Sequence, residues 1–382
     1  MVGTPGNDVL VTNGARAVRP GSGDDRVCVT RSKGRTVVVA DRAGDDRVVV
    51  QSEGRPRMRV VLGPGEDYYR GGAGEDVVYA HHAMDGGDNY ADSISTGAGN
   101  DLVTVGGSAP LADRVYLGPG ADRVRSFATE MTPGARVAGG PGYDRVGIAR
   151  PTPGSAIDVD VPAGLITGDD GVVLRFGAVE DLSLRAADAV VTVAGSDRGE
   201  RLDIVGAARV DAQMGGGNDV LAVRYAEGPM QSEVDGGGGA DTLVLEGDTV
   251  TTMDAPSGTA TAGPSTSVAF TSFVGLHGIG WTGVSIQGGD GAESLAAFGC
   301  HTEVRGGGGA DRLIAYAGDS ADGFPCDSTS SLLDGEAGDD VMRGGIRDDT
   351  IIGGDGSDTA DGDRGTDTCD AESTTRCENV PS

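Results

Sequence analysis

Near the C-terminal end of the chain an aspartate returns every nine residues, at Asp340, Asp349, Asp358 and Asp367, each on a glycine-rich turn. A fixed interval admits few folds, because every repeat must bring the backbone back to an equivalent place. The same frame recurs upstream. It fits "GTPGNDVLV" around Asp8, "GSGDDRVCV" around Asp25 and "RAGDDRVVV" around Asp46, then "LGPGEDYYR" and "GGAGEDVVY" in tandem around Asp67 and Asp76. "GAGNDLVTV", "GPGADRVRS" and "GPGYDRVGI" place Asp101, Asp122 and Asp144, and later turns place Asp219, Asp241 and Asp311. Two copies carry glutamate instead, Glu200 in "GSDRGERLD" and Glu293 in "GGDGAESLA".

The residue two after the acid is almost always apolar: Val27, Val48, Tyr69, Val78, Val103, Val124, Val146, Leu221, Leu243, Leu295 and Leu313. Seven before the acid lies a second apolar position, among them Val39, Val60, Ile94, Val115, Val137, Val234, Ile286, Val304 and Leu333. Its predecessor is mostly polar, as at Arg59, Arg114, Arg136, Glu233 and Glu303. Apolar against polar at period two is the mark of a strand with one side in and one side out. Each unit therefore reads strand, glycine–acid turn, strand, looser turn. Acids stand mostly 17 to 25 residues apart, which describes one coil of an all-β parallel β-solenoid, a β-roll or β-helix with its turns stacked along one or two edges. Helix is excluded by the density of Gly and Asp and by the lack of any sustained 3.6-residue period.

Stacking places equivalent acids about 4.8 Å apart, in a column. Two unit charges at that spacing repel by roughly 3–4 kcal/mol at an effective dielectric of 20. A divalent cation between successive turns reverses the sign. Glycines reach φ > 0 and turn carbonyls inward, so the donor set is carboxylate plus carbonyl oxygen, which suits Ca²⁺. Mg²⁺ holds its waters, and zinc or copper would want His or Cys, of which the chain has four and five. The other reading of a single acid is a β-turn cap; a long column in one register has no other source of positive charge.

These turns resemble the G-G-x-G-x-D-x-U-x nonapeptides of RTX (repeats-in-toxin) calcium-binding proteins, most closely from Gly335 to Asp370. The resemblance implies Ca²⁺-filled β-rolls, with several ions bound by the sixth-position acids and by turn carbonyls. The candidate metal ligands are thus Asp8, Asp25, Asp46, Asp67, Asp76, Asp101, Asp122, Asp144, Asp219, Asp241, Glu293, Asp311, Asp340, Asp349, Asp358 and Asp367. Glu200 and Glu293 depart from the motif, and Arg198 stands where a glycine is expected.

The expected organisation is calcium-binding coils over 1–146, metal-poor connecting coils over 147–192, and a second set over 193–334 with a Thr/Ser/Gly-rich excursion at 246–282. A tandem nonapeptide β-roll over 335–370 and a cap loop over 371–382 follow. The first motif opens two residues after Met1, so upstream sequence is expected. Asp169 and Asp170 read as turn formers, Trp281 as a packing residue, and His81, His82, His277 and His301 as loop residues without a metal role.

A formal charge of −29 argues against nucleic acid and anionic membrane surfaces as partners, and no apolar run approaches a membrane span. Cys369 and Cys377 enclose a loop that a disulfide can close, and Cys300 with Cys326 can form a second pair, leaving Cys28 alone; five separate buried thiols is the other reading. Oxidised cysteines suit an exported protein. No nucleophile elbow, HExxH or phosphate loop is present. The expected function is a non-enzymatic, secreted calcium-binding module, structural, spacer or adhesive, with a cell-surface or polysaccharide partner left open. The alternative is a β-helical polysaccharide lyase or epimerase carrying RTX-type repeats.

Overall fold

Short valine-rich segments alternate with glycine turns, and the backbone follows that alternation. The computed structural model describes residues 1–32, 35–80, 90–106, 112–126, 134–149, 154–169, 171–226, 230–317, 326 and 329–380. His81, His82 and Asp170 lie outside the described residues. Among the described residues all regular structure is β-strand, and no helix is long and apolar enough to cross a membrane. The fold is the expected all-β parallel solenoid. Internal contacts divide the chain into two units, Met1–Val190 and Val191–Ser382.

In the first unit, as far as Arg145–Ala149, each strand pairs in parallel with the next but one, which sorts them into two stacks. One stack aligns Arg26–Val29, Arg47–Val50, Tyr68–Arg70, Ser93–Ser95, Arg114–Tyr116 and Arg136–Ala138. Its inward column is Val27, Val48, Tyr69, Ile94, Val115 and Val137. The other stack contributes Val39, Val60, Val78, Val103, Val124, Val146 and Leu182. All thirteen are buried, and Val115, Val124, Val137 and Val146 line one interior, so the two columns face one core. Each such side chain contributes roughly 1.5–3 kcal/mol on burial.

The two apolar positions read from the sequence thus exchange stacks along the chain. Up to Tyr69 the residue after the acid belongs to the first stack; from Val78 onward it belongs to the second. The tandem pair at Asp67 and Asp76 makes the exchange, because nine residues is half a coil.

The second unit repeats the plan. Leu202, Leu221, Leu243, Leu276, Leu295, Leu313, Met342 and Ala360 form one column, and Met253, Ile286, Val304, Leu333, Ile351 and Cys369 stack in another. Both segments without calcium turns use the same device: an antiparallel meander, Ala156–Asp160, Leu165–Gly168 and Gly171–Gly177 in one unit, Val250–Asp254, Thr259–Ala262 and Thr266–Thr271 in the other. Residues 246–282 are therefore a hairpin excursion together with an extra coil. Trp281 differs from expectation: it is 44% exposed, at a register shift between Gly280 and Gly283 where the chain crosses from one face to the next. Disulfides join Cys300 to Cys326 and Cys369 to Cys377, and Cys28 is a free thiol.

Candidate metal centre

Each glycine turn delivers its acid to the base of the following strand, and the acids stack on one another. The backbone N–H of Asp25 donates to Asp46 Oδ1 at 2.7 Å, and that of Asp46 to Asp67 Oδ1 at 2.8 Å. Asp8 joins this column below Asp25, and Asp92 and Asp113 continue it above Asp67. A second column on the opposite edge runs Asp76, Asp101, Asp122, Asp144 and ends on Glu180 Oε2, with steps of 2.7–2.9 Å. In the second unit the ladders are Glu200–Asp219–Asp241, Glu293–Asp311–Asp340–Asp358–Glu372 and Asp349–Asp367–Glu378. Tandem repeats again send alternate acids to opposite edges. The carboxylates therefore form several columns on two edges, the second of the two arrangements expected.

A second ladder runs outside the first. The residue before the acid accepts a hydrogen bond from the next turn: Asn7 from Asp24 N–H, Asp24 from Asp45, Asp45 from Glu66, Asn100 from Ala121, and Asp339 from Ser357, at 2.9–3.1 Å. The turns are thus pinned on both sides of the acid.

One carboxylate oxygen is spent on this ladder; the other is not. The Oδ2 atoms of Asp25, Asp46, Asp101, Asp122, Asp144, Asp219, Asp241, Asp311, Asp340, Asp358 and Asp367 are buried and accept no hydrogen bond among the described residues. Buried polar atoms are almost always paired, so an entire set left over is suited to a partner from outside the protein, such as a cation. Burial also raises the pKa of several of the column acids. It pushes Asp122, Asp219, Asp340 and Asp349 up to about 6 and Glu293 to about 7. Asp46, buried and beside Asp41, is pushed up to about 9.

The glycines leave room for that second oxygen. A Cβ on Gly353 would overlap Asp358 Oδ2, and the same holds for Gly335 against Asp340 and Gly362 against Asp367. Gly354, at φ +102°, also lies against Glu336 O of the adjacent turn. Gly353→Ala should therefore displace the Asp358 carboxylate at a cost of about 1–3 kcal/mol and weaken cation binding in that turn; thermal melts at fixed Ca²⁺ that match wild type would refute the assignment.

Four candidates are placed differently. Asp76 Oδ2 accepts a hydrogen bond from the buried Tyr69 hydroxyl at 2.7 Å, at the start of its column. Asp8 is only partly buried, and its Oδ2 is taken by Thr4 Oγ1 at 2.9 Å. Asp349 Oδ2 is held by Gly345 N–H at 2.7 Å. Glu293 reaches back to Gly289 N–H at 3.3 Å, and Glu200 likewise to Ser196. The longer glutamate side chain closes onto its own turn.

Asp41, Asp92 and Asp113 are buried acids that the frame did not select. For Asp92 and Asp113 the signal was present, since Ile94 and Val115 stand two residues after them. Their turns lack the GxGxD spelling. Asp41 occupies a position where the frame expects glycine.

Stacked glycine turns, paired acid edges and orphaned carboxylate oxygens define a cation-binding parallel β-roll. The family model for the RTX calcium-binding nonapeptide repeat matches residues 62–81, 86–124, 303–319 and 334–369, less than a third of the chain. In those four segments the chain carries RTX-type calcium-binding nonapeptide repeats. No curated protein matches it. Asp25, Asp46, Asp144, Asp219 and Asp241 lie outside the matched segments, yet they carry the same ladder and the same unpaired oxygen.

Proposed function

We propose that the chain is a secreted calcium-binding module whose folding is coupled to filling these turns, and that it serves as a structural, spacer or adhesive element without catalytic activity of its own. The observation that carries this reading is the run of buried Oδ2 atoms with no protein donor. A carbonyl oxygen of another turn lies beside the second carboxylate oxygen at Asp311, Asp340 and Asp367, and a donor set of six or more such oxygens favours Ca²⁺ over Mg²⁺. The two disulfides support an oxidising, extracellular setting. Extracellular modules fill at about 10⁻⁴ to 10⁻³ M Ca²⁺, so the columns would repel before export and close afterwards. Native mass spectrometry of the whole chain in millimolar Ca²⁺ should show several bound ions per molecule. A spectrum with none above the Mg²⁺ control would end the proposal.

A further inference from the structure

The turn "DRAGDD" from Asp41 to Asp46 begins with a further acid. Where Gly353 stands in the turn of Asp358, this turn has Asp41. Its side chain is 2% exposed, and Asp25 and Asp46 are 1% and 2% exposed. One carboxylate oxygen from each of the three lies within 4.8 Å of the other two. Asp25 Oδ1 and Asp46 Oδ1 accept the N–H groups of Asp8 and Asp25 at 2.7 Å, and Asp41 Oδ1 accepts Gly21 N–H at 3.3 Å. The three Oδ2 atoms accept no hydrogen bond, and no ion pair reaches them among the described residues. Three buried carboxylates thus converge where an ordinary turn of this protein brings two. The turn also lies outside the segments matched by the repeat family.

We propose that Asp25, Asp41 and Asp46 form a three-carboxylate Ca²⁺ site, separate in kind from the glycine-type turns and the tightest in the first unit. This rests on the calcium-binding reading above and adds to it a ranking among sites. The reason is charge count: affinity in all-oxygen sites rises with the number of carboxylates around the ion. The third carboxylate also comes from the strand entering the turn, so the ion would tie that strand to two successive acids.

The test is a Ca²⁺ titration of the full chain against a competing chromophoric chelator, on wild type, Asp41→Asn and Asp41→Gly. Asn keeps the shape and removes the charge; Gly restores the ordinary turn, so one variant folds even if the other is strained. One binding step should weaken on the order of tenfold or more in both variants, with the other steps unchanged. An isotherm identical to wild type in either folded variant overturns the three-carboxylate site while leaving the calcium-binding reading standing. A wild-type chain that binds no Ca²⁺ overturns both.

Discussion

Removing Ca²⁺ with EGTA at neutral pH will abolish most of the far-ultraviolet circular dichroism of β-structure, and returning Ca²⁺ will restore it. The expected size follows from the columns. Ionised acids in adjacent turns repel by roughly 3–4 kcal/mol per pair at an effective dielectric of 20, against a total stability of about 5–15 kcal/mol for a typical domain. Backbone donors such as Asp25 N–H to Asp46 Oδ1 satisfy one oxygen of each acid and leave the other exposed to its neighbours' field. Each ion bound at ten times its dissociation constant restores about 1.4 kcal/mol, and the sites act together because each layer contacts the next. High salt should soften the loss by screening the exposed part of the repulsion. A spectrum unchanged after complete chelation, with metal absence verified by mass spectrometry, would falsify the coupling.

Acid should substitute for calcium in the metal-free chain. Burial raises the folded-state pKa to about 6 at Asp122, Asp219, Asp340 and Asp349 and to about 7 at Asp76 and Glu293, above the ordinary 3.8 or 4.5. A group of this kind binds its proton more tightly folded than unfolded. Its contribution to stability is full below the unfolded pKa and is lost as pH rises through the folded value. Without metal the β-structure should therefore be greatest near pH 4 and fade between about pH 4 and 7, with Asp46 extending the window to about 9. The reduced net charge acts in the same direction. Calcium needs the ionised forms, so the loaded protein should show the opposite slope and lose its ions on acidification. Adding CaCl₂ to the metal-free chain near pH 5, where it is still folded and its columns are protonated, should release protons, measurable in a weakly buffered indicator solution. Binding without proton release would rule out the protonated columns.

Much of this was legible in the residues themselves. The period, the glycines and the apolar residue two after each acid led to parallel coils, because a strand has only two sides and a repeat must close on itself. The oxygen-only donor set led to calcium for the same local reasons. Asp219 and Asp241 were placed on that evidence, and the structure stacks them at 2.8 Å. What stayed hidden depends on neighbours distant in the chain. Tyr69 gives no sign in the sequence that its hydroxyl reaches Asp76, seven residues on. Asp41 spells a broken motif, and only the stacking of Asp25 beneath Asp46 turns it into a third carboxylate.

By itself, then, the sequence determined the coil, the turn chemistry and the class of ion, since these follow from backbone freedom at glycine, strand alternation and the donor atoms available. The tertiary structure alone decided which edge each acid occupies and which of its oxygens remains open. Those depend on how many residues separate one turn from the next layer's turn, and on which amide or hydroxyl the stacking then brings within hydrogen-bonding reach.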